Sequence, residues 1–226
     1  MVGTVVVWIV IGLAVLLVIY FQRRLAKKRR EAMAAWARSH GFTYSVEDNA
    51  YIDRFRSGPF GKGDRRRATN VITGVFDGRP MIAFDYSYDT ESTDSKGNRT
   101  RTTHRFNVAA VNLPATLPDL QVARESFFSS IGRALGFHDI EFENGEFNKE
   151  FKVHAEDRKF AYDVIHPRMM EWLLHTPGPS WSIERADLMC WASGRAKPES
   201  IDGHLNYLNG VVQQIPRFVW DRPGAP

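Results

Sequence analysis

Residues 57–70 read SGPFGKGDRRRATN. Gly58, Gly61 and Gly63, with Lys62 and the run Arg65-Arg66-Arg67, are residue types that can cradle phosphate: glycines let the backbone approach and cations neutralise the charge. The spacing argues against a nucleotide fold. A P-loop carries four residues between its glycines, then Lys and Ser/Thr, and lies after a strand and before a helix. Here two residues separate Gly58 from Gly61, Gly63 stands where the hydroxyl belongs, and the strand comes afterwards. Gly58-x-x-Gly61 has the form of the KH loop that clamps a nucleotide backbone, without the KH arrangement of helices around it. What is left is a mobile loop with solvated arginines. As a candidate anion-binding loop (Lys62, Arg65, Arg66, Arg67) it suits lipid head groups or a phosphorylated partner.

Other chemistry is sparse. Asp85 and His104 fall on neighbouring expected strands, where a carboxylate–imidazole pair could do acid–base work. Asp139-x-Glu141-x-Glu143 with Glu150 has the outline of a calcium loop, but the glycine required at its sixth place is one residue late, at Gly145. His154-Ala155-Glu156 lacks the P-C-x-x-C partner of a zinc deaminase, and no H-E-x-x-H occurs. No G-x-S-x-G elbow is present. The lone Cys190 lies between Met189 and Trp191, an apolar setting that suits an inert core thiol. No metal or cofactor is expected, and no internal disulfide can form.

The elements that would position these residues begin at a membrane. Met1–Gln22 carry no charged side chain, and Val2–Phe21 is an apolar run long enough to cross a hydrocarbon core of ~30 Å. Tyr20 and Phe21 suit an interfacial aromatic belt. A basic collar follows: Arg23, Arg24, Lys27, Lys28, Arg29 and Arg30, expected to contact lipid head groups. A cleaved signal peptide would need a cleavage site close behind its apolar core; the A-x-A at Ala32–Ala34 lies beyond all six cations. The expectation is a retained anchor with the amino terminus outside and the domain in the cytoplasm. Without the collar, 24 Lys+Arg stand against 26 Asp+Glu, so the sequence pI of 9.3 reflects the membrane-side segment and argues against nucleic acid. The sequon Asn98-Arg99-Thr100 then has no role.

The organisation expected is 1–22 transmembrane helix, 23–41 basic juxtamembrane helix and 42–226 soluble α+β domain. Leu25–Gly41 is rich in helix formers and ends on a capping glycine, with Met33, Trp36 and Ala37 packing back on the domain. Asn70–Phe76, the Asp77-Gly78 turn and a period-two run over Ile82, Phe84, Tyr86 and Tyr88 predict a hairpin. Thr103–Leu113 adds a third antiparallel strand after the turn at 94–98, and Pro114 and Pro118 close the meander. SFFSSIGRALG reads as a short helix and Asn144-Gly145 as a second hairpin turn. His166-Pro167 divides Asp157–His175 into two helical pieces. Trp181–Gly194 is one long strand or a hairpin pair, and Ile201, Leu205, Leu208, Val212 and Ile215 line a last helix stopped by Pro216. Hairpins and meander therefore pack with two or three helices.

The stretches RRATNVITGVFDGRPMIAFDYSY, LPDLQVARE, FNKEFKVHAEDRKFAYDVIHPRMMEWL and IERADLMCWASG resemble an uncharacterised family of bacterial single-pass membrane proteins, over most of residues 30–220. The resemblance implies an amino-terminal anchor and a cytoplasmic α+β domain, and supplies no catalytic residue. The reading that follows is a membrane-tethered binding or scaffolding module with a protein partner. The alternative is a membrane-bound hydrolase using Asp85 and His104. A third reading joins the collar to Arg65–Arg67 as one surface for anionic lipid.

Overall fold

The structure, a computed structural model, describes residues 2–124 and 138–221. Helix α1 (Val2–Ser39) runs 38 residues without a break, about 57 Å at ~1.5 Å per residue. It is the one helix among the described residues long and apolar enough to cross a membrane, and its spanning window is unburied by the domain. The basic segment after Gln22 belongs to the same helix. No proline or glycine interrupts it after Gly12, and Gly41 at φ +70° ends it. Met33 and Ala37, one turn apart, are fully buried against the domain. Trp36 packs partly buried beside them and donates its indole N–H to Asp202 (3.1 Å).

Seven strands among the described residues make one antiparallel sheet: β1 (Thr43–Glu47), β2 (Asp64–Phe76), β3 (Arg79–Thr93), β4 (Arg99–Arg124), β5 (His138–Ile140), β6 (Phe151–Ala155) and β7 (Ser180–Ser193). The α+β architecture read from the sequence is thus the observed one. Asp77 and Gly78 take φ of 48° and 74°, the paired left-handed turn that closes a tight hairpin. Strand β4 is the spine. Its first half pairs with β3 from Met81↔Val111 to Thr93↔Arg99, and β7 lies on its other edge from Phe106↔Ser193 to Val122↔Trp181. Pro114 and Pro118 do not end it. The β4–β7 register slips between Asn112 and Leu120, so the prolines sit where the ladder is already broken. The Ser180–Ser193 segment is one strand.

Four helices follow the meander before a final short one, and two sequence expectations change there. Asn144-Gly145 is not a hairpin turn: Asn144 caps helix α2 (Gly145–Glu150) through Glu146 and Phe147 N–H, and β5 and β6 pair on either side of it. Asparagine is as good a helix cap as a turn residue, and buried Phe147 favours the helix. His166-Pro167 does separate α3 (Arg158–Val164) from α4 (Pro167–His175), with His166 as cap. Helix α5 (Pro198–Gln214) and α6 (Arg217–Trp220) complete the layer. The helix expected from SFFSSIGRALG lies outside the described residues.

Strand parity sorts the core into two halves. In β3, Met81 and Ala83 face the layer made by α1 and α3–α5, whereas Ile82, Phe84, Tyr86 and Tyr88 face the other side with Phe55, Phe60 and Trp191. That second aromatic core is covered by residues 49–63, which include the first half of the 57–70 stretch expected to be a mobile loop. Ser57, Gly58, Pro59 and Phe60 are all buried. The buried Glu184 carboxylate accepts Arg56 N–H (2.9 Å) and Ser57 N–H (2.7 Å). Gly58 has φ +65°, and a Cβ there would meet the Trp191 ring at 2.6 Å. Gly58 is therefore glycine to let the chain pass over an indole, rather than to approach a phosphate.

Candidate functional site

The odd-numbered face of β3 is apolar under the helix layer at Met81 and Ala83, then turns polar at Asp85, Ser87 and Asp89. There it leaves the cover of the helix layer and forms the floor of a cleft of about 420 Å³ whose wall is α1. At its inner end Asp85 joins three elements. Its Oδ2 accepts Arg29 Nη2 at 2.5 Å and Asn70 Nδ2 at 2.7 Å, and its Oδ1 accepts Ala196 N–H at 2.8 Å. Arg29 also donates from Nε and Nη2 to Ala196 carbonyl oxygen (3.1 and 2.8 Å). Arg29, Asp85 and Ala196 thus close a ring of charge-assisted hydrogen bonds between α1, β3 and the loop before α5. Asn70, at φ 51° in the β2 irregularity, accepts Tyr44 hydroxyl (2.8 Å) and extends the ring to β1. The Asp85 side chain is 9% exposed and Arg29 24%, so water screens the join weakly.

Six arginines line the cleft: Arg29, Arg30, Arg65, Arg67, Arg105 and Arg195. Two acids, Asp85 and Asp89, face them. Asp85 is taken by Arg29, and Asp89 lies 4.0 Å from Arg101. Among the described residues Arg30, Arg65, Arg67, Arg105 and Arg195 have no ion-pair partner. The arginine run is strand rather than loop, because β2 begins at Asp64. Alternation divides it: Arg65 and Arg67 line the cleft, while Arg66 pairs with Asp53 at 2.7 Å. Burial around Tyr86 pushes its phenol up to about 12 against the opposing influence of Arg66. Lys62 stands apart from the arginines, its ammonium buried without a hydrogen-bond partner and its pKa lowered by that burial.

The collar divides in the same way. Arg23 lines a second groove with Ile19, Gln22 and Leu25, and this groove shares Arg29, Arg105 and Arg195 with the cleft. Lys27 makes an exposed pair with Glu31. Arg24 and Lys28 line neither of the two. Arg29 departs from the expectation of a head-group contact, since its guanidinium is spent on Asp85 and Ala196.

The structure does not bring Asp85 and His104 together. The β3–β4 register sets Asp85 opposite Asn107 and His104 opposite Tyr88, so the two side chains stand on opposite faces of the sheet. His104 stacks on Tyr88 (4.8 Å) and bonds Thr90 Oγ1 through Nε2 (2.9 Å). The calcium outline dissolves too: Asp139 sits against His154 (2.7 Å), and among the described residues no three His, Cys, Asp or Glu side chains are grouped to hold a metal. Cys190 is fully buried, and desolvation raises its thiol pKa far above the usual range.

Sequence reasoning missed Asn70, Arg105 and Arg195 as members of the cleft. Arg105 was within reach, because period two carries it onto the Asp85 side once the β3–β4 register is known. Arg195 was not: its loop meets the cleft only through the fold.

Comparison with known proteins gives a consistent picture. Residues 1–127, more than half of the chain, match the family of the trehalose monomycolate transport factor TtfA. The matched part holds the long apolar helix, the meander and five of the six cleft arginines. Trehalose monomycolate transport factor A of Mycolicibacterium smegmatis is 35% identical over 75 residues, which is 33% of this chain and 26% of that protein. The similarity therefore spans about a quarter of that relative's length. The crystal structure of the mycobacterial trehalose monomycolate transport factor A, TtfA, superposes with a TM-score of 0.62 at 16% identity. It covers 83% of this chain and 96% of that one, a likeness of fold.

Proposed function

The chain belongs to the family of the trehalose monomycolate transport factor TtfA, a defined bacterial family rather than an uncharacterised one, and we propose that it is a membrane-anchored, non-catalytic factor in the transport of trehalose monomycolate. It works by holding its α+β domain at a set position on the membrane surface, where a membrane protein that moves the glycolipid can dock. The domain organisation proposed is an anchor over 1–22, a basic juxtamembrane helix over 23–41 and a soluble domain from 42. The charge bias of the collar supports an amino terminus outside and a domain in the cytoplasm.

The observation that carries this reading is the unbroken α1. One helix supplies both the span and a wall of the domain core, so the two cannot swivel independently unless the Arg29–Asp85 ring opens. A flexible linker would suit a tethered enzyme that must search for substrate; a rigid strut suits a part of an assembly. The hydrolase alternative rested on a pair that the sheet keeps on opposite faces.

The test is complementation. In Mycolicibacterium smegmatis depleted of its own transport factor A, expression of this chain is expected to restore the surface level of trehalose monomycolate. Full expression at the membrane without restoration would contradict the assignment.

A further inference from the structure

We propose that the arginine cleft is a phosphate-binding site, filled by the phosphorylated head group of an anionic membrane lipid. The proposal stands apart from the transport reading and would survive its failure.

Four separate parts of the fold deliver guanidinium groups to this one space: α1, β2, β4 and the β7–α5 loop. Five of those groups have no acid within ion-pair distance among the described residues, although the chain beyond the collar has more acids than cations. A solvated basic face would be expected to draw on nearby acids as the rest of this surface does, with Arg54 on Asp187, Arg56 on Asp119 and Arg124 on Glu150. Here the like charges converge instead, and the one deeply placed acid is already neutralised by Arg29. Such a constellation is relieved by a multivalent anion. The guanidinium fork matches phosphate oxygens in pairs. Thr69, Ser87 and Thr103 add hydroxyl donors in the same lining.

The position favours a lipid over a soluble compound. The cleft runs into the groove lined by Ile19, Gln22 and Leu25, which belongs to the membrane end of α1. Arg29 lies seven residues beyond Gln22, about 10 Å at ~1.5 Å per residue, against a head-group layer of roughly 5–8 Å on each side of the hydrocarbon core. A phosphate among Arg30, Arg65 and Arg67 would thus sit at the edge of that layer, with the lipid's acyl chains free to follow the apolar flank of α1.

The full chain in detergent, examined by native mass spectrometry after exposure to phosphatidylglycerol, phosphatidylinositol or phosphatidylcholine, tests this directly. One anionic lipid is expected to stay bound, with phosphatidylcholine lost. The combined variant Arg65→Gln, Arg67→Gln, Arg105→Gln is expected to retain at least tenfold less; Lys149→Gln with Lys159→Gln, exposed and outside both the cleft and the collar, is expected to retain as much as the natural chain. The corresponding triple Lys variant keeps the charge, is expected to keep most of the binding, and serves if the Gln variant does not fold. Inorganic phosphate is titrated in parallel with thermal unfolding as the readout. Stabilisation by phosphate without lipid retention would keep the phosphate site and assign it to a soluble phosphorylated compound. Equal lipid retention by the triple Gln variant, or no response to either probe, would overturn the proposal.

Discussion

Arg29 and Asp85, 56 positions apart, meet at 2.5 Å and tie the long amino-terminal helix α1 to the middle of the sheet. Asp85 also takes Asn70 and the Ala196 N–H, so Asp85→Asn removes the charge and sets an amide N–H against at least one of these donors. Asp85→Asn is expected to cost about 2–3 kcal/mol, the range for breaking a buried, hydrogen-bonded charge pair with one partly exposed member. Thermal unfolding measures the loss. Limited proteolysis between residues 22 and 33 is expected to speed up in the variant, because α1 would lift from β3.

The aromatic lid makes a separate prediction. Gly58→Ala places a methyl against the Trp191 ring at a left-handed φ, where a side chain is strained in any case. A cost of about 2 kcal/mol is expected, with a shift in tryptophan emission as Trp191 loses its packing. An unchanged spectrum and melting temperature would mean that the segment does not rest on the indole.

Cys190 is predicted to be silent to alkylating reagents in the folded chain and to react only on unfolding. The thiol is fully buried and its pKa is raised by desolvation, so the reactive thiolate is scarce. Labelling at neutral pH faster than global unfolding would contradict this placement.

His204 gives a pH dependence. Burial lowers its pKa below 6.5, so at acid pH the unfolded chain binds a proton that the folded chain resists. Its neutral form is favoured in the fold at and above pH 6.5, and that stability is lost as pH falls through the folded value. His204→Gln is expected to flatten the acid limb of a stability–pH curve below pH 6.5 and to leave the curve above it unchanged.

Local rules carried much of the fold. The apolar run, the Asp77-Gly78 turn, the period-two pattern of β3 and the His166-Pro167 break each rest on a few adjacent residues, and all are found as read. The errors share a cause. Pro114, Pro118 and Asn144 were judged by what they do alone, and tertiary pairing gave them a bulge and a helix cap instead. The 57–70 stretch reads as one loop because glycine and arginine look solvated; packing over Trp191 and the start of β2 at Asp64 divide it into a buried lid and a strand. The cleft was half legible. Arg29, Arg30, Arg65 and Arg67 were marked as cations, but nothing local tells Arg29 from Lys28 until Asp85 is seen beside it. Arg105 and Arg195 join through long-range pairing of β4 with β3 and β7.

Helix α1 and the sheet form one rigid piece through the Arg29–Asp85 ring. Spin labels at Arg24→Cys and Glu199→Cys in the full chain, held in lipid nanodiscs with Cys190 buried and unlabelled, would report it as a distance distribution. A single narrow peak is predicted, broadening when Arg29→Gln and Asp85→Asn are introduced together. A broad distribution in the natural background, or a narrow one that survives the double substitution, would contradict the account.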